Sequence, residues 1–153
     1  MKIFKMFFVF LGLFSAANAA DITIYYSPTC PHCHHARDFI KNELIYEYDS
    51  LKVTEVNATV EEARQDFIDA LQKCNYTNGG VPVLVIGEKC FQGYGDGLQG
   101  DIRAAIEIDL SDAQKKAASD NREELKKNRD AFISSHESRK NAISDKGNDV
   151  KKN

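Results

Sequence analysis

The tetrapeptide Cys30-Pro31-His32-Cys33 constrains this chain more than any other feature, because of where it falls. The residues before it, Ile22-Thr23-Ile24-Tyr25-Tyr26, are β-branched and aromatic and read as a strand. After it, Cys33, Ala36, Ile40 and Leu44 recur at helical spacing. The two cysteines therefore stand where a strand hands over to a helix. A helix N-terminus carries partial positive charge and unpaired N–H groups, which favour a thiolate over a thiol. Pro31 suits the first helical position, where no backbone donor is needed. Cys30 is expected to face solvent and Cys33, one turn on, to face inward. That makes Cys30 the expected nucleophile and Cys33 the resolving thiol. His32, between the sulfurs, adds positive charge that stabilises the thiolate and makes the pair more oxidising.

The pattern continues past the first helix. Residues 53–56 read as a second short strand. Thr59 with Glu62 has the spacing of a capping box, opening a helix whose apolar stripe is Val60, Ala63, Phe67, Ala70, Leu71 and Cys74. Asn78-Gly79-Gly80 breaks the chain before a strand over 82–86. Gly87-Glu88 has glycine first, as a type II′ hairpin turn requires, and 89–92 returns as the next strand. Asp96 is positioned to cap a last helix with Leu98, Ile102, Ala105 and Ile106 inward. The order is β-α-β-α-β-β-α within residues 20–110, with parallel pairing at the start and an antiparallel hairpin at the end.

Two flanking regions differ in character. Lys2 and Lys5 precede a 12-residue apolar run over 6–17, and Ala17-Asn18-Ala19 offers a small-x-small cleavage pattern. Residues 1–19 are read as a secretory signal peptide, too short an apolar run to span a bilayer, with the mature chain starting at Ala20. The expected location is the periplasm or otherwise the secreted fraction, without stable membrane insertion after cleavage. Residues 111–153 open with a second capping box, Ser111 to Gln114, and then turn polar and charged. Their apolar residues are sparse (Ala118, Leu125, Phe132, Ile133, Ile143, Val150), so the segment reads as one exposed helix or a helix-biased disordered tail. It holds 11 basic and 8 acidic residues, whereas 20–110 holds 7 and 15. Folding back onto the domain by charge is one reading, and a solvated charged face is the other. With 42% hydrophobic residues and a net charge of -3, the whole chain is neither a disordered protein nor a nucleic-acid binder.

The chain over 21–108 resembles the thioredoxin superfamily, and its glutaredoxin branch most closely. The carrying residues are Cys30-Pro31-His32-Cys33, Gly80-Val81-Pro82 and Gly93-Tyr94-Gly95-Asp96-Gly97. The resemblance implies a thioredoxin/glutaredoxin-like α/β fold, a four-stranded mixed sheet flanked by helices, with Pro82 in cis beside the dithiol. It implies that the backbone at Val81 pairs with a substrate chain, and it makes Tyr94 and Asp96 candidates for the substrate groove. The tetrapeptide is similar to that of DsbA-type exported thiol oxidases, whose large helical insertion this chain lacks. The implied function is thiol–disulfide exchange on cysteine-containing protein substrates, with a separate redox partner recycling the dithiol. No cofactor is expected. Glutathione remains an alternative through Asp96 and Val81, but Ser27 stands where glutathione-binding relatives usually carry lysine, and Asp96 is followed by Gly97 and not by a second acid. Where thioredoxins place a buried acid, six residues before the first cysteine, this chain has Ile24.

Cys74 and Cys90 leave three alternatives: a structural disulfide, a second redox pair, or unpaired buried thiols. His32, His34 and His35 beside the dithiol raise a different class, a module holding Cu(I) or Zn(II), against the reading that they only tune charge. A third class makes the C-terminal segment an adaptor. Asn57-Ala58-Thr59 and Asn75-Tyr76-Thr77 match the glycosylation sequon, while Thr59 already has an expected role as a cap.

Overall fold

The computed structural model describes residues 18–147. The leader assigned to 1–19 lies outside the described residues except for Asn18 and Ala19. Ala19 is buried and its N–H donates to Ser50 Oγ (2.9 Å). None of the described helices is long and apolar enough to cross a membrane.

Strand β1 (Ile22–Tyr26) pairs in parallel with β2 (Val53–Asn57) and antiparallel with β3 (Val83–Ile86), which forms a hairpin with β4 (Lys89–Gln92). The hairpin turns on Gly87, whose φ of 56° suits glycine, while Glu88 keeps negative φ, the type II′ pattern. Alternation along the strands splits the core in two. Ile22, Ile24, Val53, Leu84 and Ile86 pack under helices α1 (Pro31–Phe39) and α4 (Gln99–Ile106). Tyr25, Val56 and Val83 face α3 (Arg64–Lys73) through Ala70 and Phe67. The expected β-α-β-α-β-β-α order is therefore present.

Three local expectations are corrected. Thr59 does not cap α3: its N–H and hydroxyl both donate to Asn57 Oδ1 (3.0 and 2.7 Å), and the helix starts through a 3₁₀ turn, Glu61–Ala63. That asparagine is itself buried. Asp96 is not a cap either but the first residue of a 3₁₀ turn, Asp96–Leu98, entered from Gly95 without a side-chain bond. The first helix does not run straight through. It widens into a π-helical turn, Ile40–Leu44, before a short helix α2 (Ile45–Glu47), and Arg129 donates to the carbonyl of Asn42 in that turn (2.8 Å).

The largest departure is the C-terminal segment. Its helical reading holds, in α5 (Asp112–Lys127) with the Ser111–Gln114 capping box and α6 (Arg129–Ser135). The segment then adds a strand, β5 (Ile143–Lys146), parallel to β2, so the sheet has five strands in the order β4-β3-β1-β2-β5 and not four. The sparse apolar stripe is buried: Ala118 and Leu125 belong to the main core, with Phe132, Ile133 and Ile143 packed against it. The charge asymmetry becomes specific contacts. Buried Glu47 accepts from Arg103 (2.6 and 2.8 Å) on α4 and from Arg122 (2.9 Å) on α5. Arg139 donates to the carbonyls of Ile45, Tyr48 and Leu51 at 2.7–2.9 Å. Lys146 meets Asp66 at 2.9 Å.

Tyr48 lies in the same junction. Burial, and then its hydrogen bond to the Glu107 carboxylate, push the phenol's pKa far above its ordinary value. The unfolded chain loses this proton near pH 10 and the folded chain keeps it, so stability is full below that pH and falls as pH rises above it. Ultraviolet titration should show one tyrosine that ionises only together with alkaline unfolding.

Candidate active site

Cys30 is the N-cap of α1, with extended backbone (φ -91°, ψ 116°) and Pro31 at the first helical position. Its Sγ accepts the backbone N–H of Cys33 at 3.2 Å. The first turn of the helix carries no acidic residue, so nothing there cancels the positive end of the peptide dipoles. The cap position is where an anion gains most from the unpaired N–H groups, so this geometry favours a thiolate on Cys30. The two cysteines form a disulfide with Cα atoms 5.2 Å apart, Cys30 half-buried and Cys33 fully buried.

Across from Cys30 stands the loop before β3. The Val81–Pro82 peptide is cis, and the Val81 carbonyl is 3.6 Å from Cys30 Sγ. Pro82 is buried and its carbonyl accepts from Gly93 N–H (2.8 Å). Val81 and Pro82 are thus brought to the dithiol. His32 is exposed on the first turn, beside the sulfurs. Tyr94 points into the core, 7% exposed, with its ring 6.0 Å from that of Phe39 and its hydroxyl accepting from Gln99. Its placement is that of a packing residue, not of a groove wall. Asp96 is exposed in the 3₁₀ turn ahead of α4.

His34 and His35 are exposed, and the His34 ring lies 2.7 Å from the carbonyl of Pro28. No group of three or more His, Cys, Asp or Glu side chains is placed to hold a metal ion among the described residues.

Sequence reasoning missed a buried acid beside this helix. Glu55 on β2 sits in register with Ile24, on the same sheet face, and is 1% exposed. Its charge is matched by Arg37 (2.7 Å), one turn after Cys33, and by Lys41 (3.3 Å). Arg37 also stacks over the Tyr26 ring at 4.0 Å, so α1 is fastened to the sheet just behind the dithiol. A lone Glu in a strand pattern, preceded on α1 and its π-helical continuation by Arg37 and Lys41, four apart, was the available signal.

Cys74, at the C-terminus of α3, pairs with Cys90 in β4, with Cα atoms 5.8 Å apart, inside the range a bridge needs. The bridge closes a loop of 16 residues in sequence, worth about 3 kcal/mol in the chain-entropy model. The double substitution Cys74→Ser, Cys90→Ser should lower stability to denaturant by about that amount, ~3 kcal/mol, while leaving Cys30 and Cys33 able to pair.

A strand-ended dithiol facing a cis-proline, on this strand order, defines a thioredoxin-like domain. Residues 22–91, the part of the chain that carries the site, match the glutaredoxin family model. Among solved structures, the chain is similar to a glutaredoxin from Archaeoglobus fulgidus, at 24% identity and a TM-score of 0.41, over 55% of this chain and 86% of that one. No curated protein matches the chain. The family and the paired cysteines together support thiol–disulfide oxidoreductase chemistry.

Proposed function

We propose that the protein is an exported protein-disulfide oxidoreductase in which Cys30 is the nucleophile and Cys33 the resolving thiol. The observation that carries this reading is the half-exposed Cys30 sulfur at the cap of α1, bonded to Cys33 N–H and facing the Val81 carbonyl beside cis-Pro82. In the reducing direction the Cys30 thiolate attacks one sulfur of a substrate disulfide. A mixed disulfide forms, and the released substrate thiolate takes a proton. Cys33, deprotonated in turn, attacks Cys30 Sγ, closing the Cys30–Cys33 bond and freeing the second substrate thiol, so two electrons pass to the substrate. Donation of a disulfide is the same sequence reversed.

The helix-end site and His32 between the sulfurs favour the thiolate, hence the reduced pair, which makes the dithiol an oxidant. Together with the apparent leader, this supports a donor or shuffler of disulfides outside the cytoplasm, recycled by a separate redox partner. No cofactor is required for these steps. Glutathione as a bound co-substrate is disfavoured by Ser27 and by the lack of a second acid after Asp96. The test has two arms. Cell fractionation with mass spectrometry of the N-terminus should find a processed chain in the exported fraction. The purified mature protein, in its disulfide form, should oxidise a reduced reporter protein stoichiometrically and, with an added oxidant, catalytically. A chain retained unprocessed in the cytoplasm, or a disulfide form that leaves the reporter reduced, would sink the proposal.

A further inference from the structure

Gln92, the last residue of β4, reaches across to the loop that presents Val81. Its side-chain amide donates to the carbonyls of Asn78 and Gly80, each at 3.0 Å, so both amide hydrogens are used on one short segment. Asn78 Oδ1 accepts Gly80 N–H at 3.0 Å, closing the loop from the other side. The fit is tight at Gly80: a Cβ there would lie 3.0 Å from Asn78 Oδ1, which would have to shift by a few tenths of an ångström, and 3.5 Å from Gln92 Nε2. The Cys74–Cys90 bridge anchors the start of the same loop to the same strand.

The consequence falls on one peptide plane. In a trans peptide the C=O and the following N–H point in opposite directions. The Gly80 carbonyl is turned to Gln92, so the Val81 N–H is turned away from it. Val81 precedes a proline, which favours extended backbone, and an extended residue shows its N–H and C=O on one edge. Its C=O is the one facing Cys30. Val81 N–H has no hydrogen-bond partner among the described residues. An open donor and the reacting sulfur thus share an edge.

We propose that Gln92 is a positioning residue: by fixing the Gly80–Val81 peptide plane it holds Val81 N–H where the backbone pairing already expected at Val81 can use it, and so supports exchange with a disulfide carried on an extended polypeptide. This rests on the exchange chemistry proposed for Cys30. A small disulfide without a peptide backbone gains nothing from that donor, so the two substrate classes separate the role of Gln92 from the chemistry.

The mature protein and its Gln92→Leu variant would be compared on a peptide disulfide and on bis(2-hydroxyethyl) disulfide. For Gln92→Leu the peptide substrate should lose about tenfold in kcat/KM, mostly through KM, in line with losing a positioned hydrogen-bond donor. The small disulfide and the potential of the Cys30–Cys33 pair should be unchanged within about twofold. Gly80→Ala, which crowds Asn78 and Gln92, should show the same split and serves if Gln92→Leu folds poorly. An equal fall on both substrates, or none on either, overturns the positioning role while leaving the exchange reading intact. Wild-type protein that turns over neither substrate overturns both.

Discussion

Replacing Cys33 by serine should convert the protein into a trap. The Cys30 thiolate would still attack a substrate disulfide, but the buried sulfur that breaks the mixed disulfide would be missing. Covalent adducts should then accumulate, visible as higher-mass species on a non-reducing gel and collapsing with reductant. Cys30→Ser should form none and fall to the uncatalysed background, a loss on the order of 10³-fold or more for removal of a nucleophile. The asymmetry follows from the cap geometry: one sulfur is half-exposed at the helix end, and the other is sealed behind it with its N–H already committed to its partner. Adducts formed equally by both variants, or by Cys30→Ser alone, would assign the roles the other way.

Deletion of residues 111–153 should abolish cooperative folding. It removes β5 and uncovers the core where Ala118 and Leu125 are buried and Phe132 and Ile133 pack. Burying one Leu- or Phe-sized side chain is worth about 1.5–3 kcal/mol, so the apolar loss alone is a large part of the ~5–15 kcal/mol that holds a domain together. The deletion also takes Arg122 from Glu47, a carboxylate with no access to water. The point variant Glu47→Ala isolates that part. It leaves Arg103 with Glu43 (3.1 Å) and Arg122 with Glu107 (3.7 Å) as their remaining anions, and should cost about 3 kcal/mol in urea denaturation, the low end for a broken buried pair. An exposed pair such as Lys116–Asp120 should be worth ~1 kcal/mol or less when broken. A deletion protein with an unchanged urea midpoint would show that the segment is an appendage, and would restore the adaptor reading.

The site was legible because its chemistry is local. A strand and a CxxC at a helix start are contiguous patterns that mark Cys30 and Cys33, whereas the expectation that Val81 and Pro82 stand beside them rested on the family resemblance. What escaped was non-local. Gln92 acts through two carbonyls 12 and 14 residues away in sequence, and nothing in its neighbourhood marks it. Residues 143–146 carry one apolar side chain, Ile143, which packs on the core, so no alternation marks the strand, and an edge strand pairs its backbone without one. Glu47 and Arg122 are 75 residues apart, and a charged segment looks the same in sequence whether its arginines meet water or a buried carboxylate. Thr59 and Asp96 show the opposite error, in which a sound local motif is overridden by a neighbouring turn: the Asn57 side chain takes the Thr59 hydroxyl, and a 3₁₀ turn displaces the Asp96 cap.

The most direct test of the central claim is the reduction potential of the Cys30–Cys33 pair in the mature protein. It would be equilibrated across glutathione buffers, alkylated and mapped by mass spectrometry. The account predicts a two-electron transition at that pair around -120 to -180 mV, as for a disulfide donor or isomerase, with Cys74–Cys90 staying oxidised throughout. A transition around -230 mV or lower would keep the exchange chemistry and reverse its direction. A pair that never cycles would contradict the account.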